Sequence, residues 1–325
     1  MPEQVSVQVG SLGTTQIVTM RGAAPSRRRA DYPPGVSGPA ACDVSVIIPV
    51  RNGAGSLPPL LQSLRQQTLA PERFEVIVVN NGSSDATAEV AASYGVTVID
   101  EPVANRSRAR NRGAEAARGR FYAFTDADCV ADSRWLDALL ANAHVAPLLA
   151  GEVRLTVGEE PNAVERFESL WRFGQEAWVK QGWAATANLL VDPRAFDAVA
   201  GFDPTWRHIG EDVDFCLRAA SAGFSLGYCG EAIVEHRGEH AIGPLLKRCF
   251  RHGYSVNQAF YRHGAGYRAW RDPAPALIGD HALRQFGYSP DGFDAREWRR
   301  MASLARLGYA ARVAGSLWAE VRHAR

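Results

Sequence analysis

No run of about 18 or more apolar residues occurs in the chain, so no segment has the length of a membrane-spanning helix. The N-terminus lacks the charged-then-apolar order of a secretory signal. Cysteine is sparse: Cys42, Cys129, Cys216, Cys229 and Cys249 are scattered, odd in number and without a Cys-x-x-Cys, which argues against a disulfide framework or a zinc site. These absences together give a cytoplasmic protein as the expectation. An excess of one charge is also missing, since 36 Lys and Arg face 35 Asp and Glu, and a net charge of +1 offers nucleic acid no reason to bind. Two phosphate-binding signatures are absent as well. Arg51-Asn52-Gly53-Ala54-Gly55 misses the Gly-x-Gly-x-x-Gly spacing of dinucleotide-binding sheets, and no acidic residue ends the strand that follows, which sets hydride transfer aside. The Gly-rich, Lys-containing phosphate loop of nucleotide hydrolases does not occur.

What is present is alternation. Val44 to Val50 is a nearly continuous β-branched run, the pattern of a strand buried on both faces. Leu57, Leu60, Leu61 and Leu64 then recur at helical spacing. Glu75 to Val79 repeats the strand pattern and Asn80 to Asp85 turns the chain into a second helix, with Ser and Asp as good N-cap residues. Gly95 stops that helix, Val96 to Ile99 reads as a third strand, and residues 107–118 as an Arg- and Ala-rich helix. A fourth strand, Phe121 to Thr125, follows. Such alternation predicts a mainly parallel sheet with helices on both faces, whose ligands sit beyond the carboxyl ends of the strands. Asn52, Asn81 and the pair Asp126/Asp128 all fall at those ends.

Asp126 and Asp128 stand one residue apart after a strand, so alternation points both the same way. Two hard oxygen ligands in one place suit Mn2+ or Mg2+ bridging to a phosphate; taken alone, the pair also reads as a polar turn. Later, Gly210-Glu211-Asp212 opens an amphipathic helix. Acids there complement the helix dipole, and equally make a candidate general base. Val234-Glu235-His236 is a short strand ending in an imidazole, either a structural histidine or the completion of a metal site begun by Asp128. Aromatics crowd residues 163–183 (Phe167, Trp171, Phe173, Trp178, Trp183), read first as core and second as a wall on which a sugar ring stacks.

The order of these pieces, Val44 to Asn52, Glu75 to Thr87, Ala109 to Gly113, Phe124 to Asp128, Ala187-Asn188, Gly201-Phe202-Asp203, Gly210 to Arg218 and Val234 to His236, resembles the family 2 glycosyltransferases. The resemblance implies an α/β fold of the nucleotide-sugar-binding GT-A type: a mixed, mainly parallel sheet with helices on both faces, followed by a C-terminal helical extension. It implies that Asp126-Ala127-Asp128 is the family's Asp-x-Asp motif, with Asp128 on the metal and Asp126 on the ribose or the metal's waters. Asp212 matches the catalytic base, Glu211 its acidic companion, and His236 a third metal ligand found in some members. Pro49, Asn52 and Asn81 match contacts to the nucleobase, Arg110 a basic side chain beside the nucleotide, and Asn188 a position in the donor site. The implied partners are a nucleotide-sugar donor and an acceptor that is a saccharide, a lipid-linked glycan, a peptide or a small metabolite.

The chain also departs from the family's pattern. Arg51 stands where relatives often place Tyr, and Asn80-Asn81 replaces a frequent Asp-Asp, keeping an acceptor for a base N3–H while losing charge. UDP and dTDP donors are both open, with GDP as a third. A sugar-phosphate nucleotidyltransferase and a catalytically silent sugar-nucleotide-binding scaffold are the competing classes. The nucleotidyltransferase usually carries a Gly-rich motif with a basic residue after its first strand, which Arg51-Asn52-Gly53 matches poorly.

Three regions are expected: a flexible leader over residues 1–42, rich in Gly, Pro, Ser and Arg although Val5 to Val9 alternates like a strand; a GT-A domain over 43–240; and a basic, mainly helical extension over 241–325. The extension holds 14 Lys and Arg against 6 Asp and Glu. Within it, Leu304, Leu307, Ala311, Ala314, Leu317 and Val321 predict an amphipathic helix packed on the catalytic domain, with peripheral contact to an anionic membrane as the second reading.

Overall fold

The structure is a computed structural model and describes residues 6–12, 15–21, 42–156, 158, 160–170, 174–206, 209–264 and 295–323. Two strands lie within the leader. β1 (Ser6–Leu12) and β2 (Thr15–Arg21) pair antiparallel, and β2 continues onto Leu226–Tyr228 at the edge of the main sheet. Most of the remaining leader, including Arg27-Arg28-Arg29, lies outside the described residues.

The sheet is built around β3 (Cys42–Val50), buried without a break from Val44 to Val50 because both its faces are covered. Helix α1 (Leu57–Arg65) buries Leu57, Leu60, Leu61 and Leu64, the residues whose spacing predicted it. β4 (Phe74–Asn80) pairs parallel with β3, α2 (Thr87–Ser93) follows, and β5 (Thr97–Asp100) pairs parallel with β4. Helix α3 (Arg106–Ala116) presses close on the sheet at Gly113, where an added Cβ would stand 2.4 Å from Ile47 Cγ2. β6 (Gly119–Thr125) then pairs parallel with the other side of β3. Four parallel strands with crossover helices are therefore in place before residue 126, as the alternation predicts.

Beyond β6 the sheet turns mixed. β7 (Cys129–Ala131) is short, α4 (Trp135–Asn142) follows, and β8 (Leu148–Thr156) pairs antiparallel with β9 (Asn188–Val191), which itself runs antiparallel to β6. Helices α5 (Ala163–Leu170) and α6 (Gln175–Lys180) stand between β8 and β9 in the chain. After α7 (Pro193–Ala198) and α8 (Glu211–Ser221), β10 (Leu226–Arg237) pairs with both β2 and β7. Among the described residues the sheet order is β1-β2-β10-β8-β9-β6-β3-β4-β5, with β7 on β10.

The chain divides into two compact units, residues 1–154 with 174–236, and residues 155–173 with 237–325. In the first, Phe202 packs between Phe124 of β6 (centroids 5.2 Å apart) and Phe215 of α8 (4.5 Å), which fixes where α8 begins relative to the end of β6. The aromatic-rich stretch is shared between units. Trp178 and Trp183 stack at 4.5 Å in the first, Phe167 joins the core of the second, and Trp171 and Phe173 lie outside the described residues.

The second unit packs α5, α9 (Ile242–Arg262) and α10 (Ala295–His323) around Phe167, Leu245, Leu304 and Ala305. Glycines let α9 and α10 approach closely: a Cβ on Gly253 or Gly315 would come within 2.0 Å of a backbone oxygen of the other helix. The buried face of α10 runs through Met301, Leu304, Ala305, Gly308, Gly315 and Ala319. This corrects the predicted stripe, for Leu307, Leu317 and Val321 are close to half exposed. Periodicity located the helix, and the glycine contacts chose a different face to bury.

Candidate active site

The loops beyond the strand ends are tied to one another. Asn52, at φ 53°, offers Oδ1 to the backbone N–H of Ser84 (2.8 Å) and takes Ser83 Oγ on its own N–H (3.0 Å). Gly53 N donates to Thr87 Oγ1 at 2.8 Å, so the loop after β3 is fastened to the start of α2. Asn81 is buried. Its Nδ2 donates to the carbonyls of Glu101 (3.1 Å) and Val103 (2.6 Å), and its Oδ1 accepts from Asn105 N (2.9 Å). Asn105 caps α3 through Arg108 N and donates to the carbonyls of Pro204 and Trp206. Pro49 is buried within β3, in register with Val79. Of the expected nucleobase contacts, Asn81 is thus committed to fastening the loop after β4 to the loop after β5, and Asn52 is exposed at the crevice edge.

Behind these loops lies a buried charge network. Arg110 on α3 is 1% exposed; Nη1 donates to Glu211 Oε1 at 2.8 Å and Nη2 to Asp126 Oδ1 at 3.1 Å. Its guanidinium stands 5.5 Å from the centre of the Phe202 ring. Burial alone would lower the Arg110 pKa, yet the charges of Glu211 and Asp126 outweigh it and raise the pKa, so the cation is held firmly. Arg106, one turn earlier, places Nη1 3.9 Å from the same Glu211 oxygen. Arg106 is a site residue not singled out from the sequence, although its i, i+4 spacing to Arg110 on a polar helix is the signal for it.

Asp212 follows Glu211 in the first turn of α8, after Gly210 at φ 110°. Burial, and then the charge of Glu211, push its carboxyl up to about 7, against the pull of Arg110 and the hydrogen bond from Val213 N (2.9 Å). A carboxylate whose pKa lies near neutrality suits proton abstraction.

Asp128 and His236 meet because β7 and β10 pair in a register that sets His236 opposite Cys129. His236 Nε2 lies 3.3 Å from Asp128 Oδ1, and ligand atoms of Asp128, Cys129 and His236 fall within 4.8 Å of one another. An exposed carboxylate beside an imidazole fits a hard divalent cation of the Mn2+ or Mg2+ kind. Cys129 is a poor third ligand, since burial, first among the causes, raises its pKa well above the ordinary value and keeps the thiol protonated. Asp126, expected at the metal, its waters or the ribose, turns Oδ1 to Arg110 and is outside that group of three.

Asn188 requires a larger correction. Expected in the donor site, it is fully buried with its amide used internally: Nδ2 donates to the carbonyls of Glu152 and Ala232 (both 2.8 Å), and Oδ1 accepts from Trp135 Nε1 (2.8 Å). It joins β8, β10 and α4, and a side chain so occupied reads no ligand.

Comparison with known proteins bears on the fold and the family. Residues 45–183 match the glycosyl transferase family 2 model, and residues 173–319 match that of glycosyl transferase family group 2. The chain is 33% identical over 219 residues to the glycosyltransferase AglE of Haloferax volcanii, covering 65% of this chain and 71% of that protein. It is 35% identical over 273 residues to the pre-mycofactocin glycosyltransferase of Mycobacterium tuberculosis, covering 78% of this chain and about half (53%) of that longer one. Among solved structures, a mannosyltransferase from Pyrobaculum calidifontis in complex with GDP-Man and Mn2+ superposes with a TM-score of 0.54 at 19% identity, over 85% of this chain and 87% of that one. S. aureus TarS in complex with UDP-GlcNAc gives 0.53 at 16%, over 87% and 91%. The fold is of the GT-A type, and the chain belongs to the family 2 glycosyltransferases.

Proposed function

We propose that the chain transfers a sugar from a nucleotide diphosphate donor, UDP- or dTDP-linked, to an acceptor hydroxyl with inversion at the anomeric carbon. The observation that carries this reading is the Arg110 bridge, which gathers Asp126 from the end of β6 and Glu211 from the start of α8 onto one guanidinium. It thereby ties the end of β6, which leads to Asp128, to the first turn of α8, which carries Asp212.

Asp212 takes the proton of the acceptor hydroxyl as that oxygen attacks the anomeric carbon; the bond to the diphosphate breaks and its electron pair leaves with the phosphate oxygen. Glu211, pinned by Arg110 and Arg106, keeps negative charge beside Asp212 and so raises its basicity. Asp128 and His236 would hold Mn2+ or Mg2+, which when bound supplies charge neutralisation at the departing diphosphate. The Asn52 and Asn81 hydrogen bonds fix the loops that flank the nucleotide, so its pocket is formed before it binds. The acceptor, whether a saccharide, lipid-linked glycan, peptide or small metabolite, approaches from the side of Asp212.

A thermal-shift screen against UDP-, dTDP- and GDP-sugars, with and without Mn2+, tests this reading. A donor at 100 times its Kd adds about 2.7 kcal/mol of stability. A metal-dependent rise for one nucleotide class, lost in Asp128→Ala, is the expected result. A rise with nucleoside triphosphates alone would indicate a nucleotidyltransferase, and donor binding with no turnover to any acceptor or to water would indicate a scaffold.

A further inference from the structure

We propose that the exposed face of α10 docks on an anionic phospholipid bilayer. This goes beyond the donor chemistry and stands independently of it. Leu307, Leu317, Trp318 and Val321 are each 47–51% exposed, well above what a packed helix leaves of its large apolar residues. At 100° per residue they share one face, together with exposed Ala310 and Ala314. Two to three turns towards the N-terminus from Leu307, the same face carries Arg296, Arg299 and Arg300, all exposed. The arginines rim a groove of about 480 Å3 whose walls include Val164, Leu304, Leu307 and Ile242, the last 44% exposed.

Cations beside aliphatic groups and a tryptophan are the composition of a helix that lies in a lipid interface. The apolar side chains enter the acyl boundary, the indole sits at headgroup level, and the arginines reach lipid phosphates. Charge complementarity favours lipid over a second copy of the chain. No position on this face is acidic, so a self-contact would set arginine against arginine or against bare apolar surface. The surrounding segment reinforces the field, since residues 241–325 carry an excess of eight positive charges.

The test is co-sedimentation of the full chain with sucrose-loaded vesicles of phosphatidylcholine alone or mixed with phosphatidylglycerol. Binding to the anionic vesicles that weakens with salt and is much lower on the neutral ones is expected. Arg299→Glu/Arg300→Glu reduces partitioning by roughly tenfold or more. Leu317→Ser/Trp318→Ser reduces it independently, while far-UV circular dichroism and the donor-induced thermal shift stay as in the parent. Wild-type partitioning by the folded arginine variant would overturn the proposal, as would equal binding to neutral vesicles or no binding at all. A concentration-dependent dimer, abolished by Trp318→Ser in a chain that ignores vesicles, would assign the face to self-association instead.

Discussion

Arg110 Nη1 lies 2.8 Å from Glu211 Oε1, and both side chains are at most 3% exposed. A cation and an anion this deep are stabilised chiefly by each other, with Asp126 also on the guanidinium and Arg106 standing 3.9 Å from the glutamate oxygen. Removing the cation in Arg110→Gln takes from buried Glu211 its hydrogen-bonded partner and leaves it only the more distant Arg106, at a cost of about 3–5 kcal/mol. A lowered thermal midpoint together with lost donor binding is expected. Arg110→Lys recovers little of either, because an ammonium reaches the two carboxylates as a point and not as a fork.

Asp212 gives a prediction with two signs. Its carboxyl, raised to about 7, must be ionised to accept a proton, so kcat/KM climbs as pH passes upward through that value. Stability runs the other way. The folded state holds the proton more tightly than the unfolded chain, so this group's contribution is full below the ordinary carboxylate range and is lost as pH rises through about 7. Asp212→Asn, which mimics the protonated form, should therefore abolish transfer while raising the thermal midpoint at pH 8. A variant that turned over normally would remove Asp212 from the role of base.

Asn188→Ala separates a structural amide from a ligand contact. It strips partners from Trp135 Nε1 and from the carbonyls of Glu152 and Ala232, for about 3 kcal/mol in all. Calorimetry should show the loss of stability, and nucleotide titration of the folded fraction an unchanged Kd. A Kd weakened by an order of magnitude would restore Asn188 to the donor site.

Gly253→Ala and Leu307→Ala form a contrasting pair in the second unit. Alanine favours a helix over glycine by about 1 kcal/mol, yet here its Cβ would meet the Arg312 carbonyl oxygen at 2.0 Å and force α9 from α10. A net loss of about 1–3 kcal/mol is expected. Leu307, 47% exposed, should lose less than about 1 kcal/mol on truncation, far below the 2–5 kcal/mol of a buried leucine. Urea denaturation monitored by circular dichroism ranks the two, and the reverse ranking would reinstate the stripe read from the sequence.

Much of the first half was legible because its signals are local. The buried runs at Val44–Val50 and Glu75–Val79, the leucine spacing of α1 and the acids that open α8 each state an element within a dozen residues. In a sheet of parallel strands and crossover helices, that order already places the strand ends together. That order alone is what leads to the expectation of Asn52, Asn81, Asp126 and Asp128 at one crevice.

What each of those side chains does was decided by contacts between segments far apart in the chain. Alternation gives Asp126 and Asp128 the same direction, but only the buried Arg110 separates them, one to a guanidinium and the other to His236. That His236 stands there depends on the β7–β10 register, which no local pattern encodes. Asn188 looks like a ligand-binding polar residue until Trp135, Glu152 and Ala232 are seen to consume its amide. The sequence by itself determined which residues are apolar, charged or turn-forming, and hence the elements and their order. The tertiary structure alone decided which surface meets which, because burial, hydrogen-bond partners and shifted pKa values are properties of the neighbours that folding supplies.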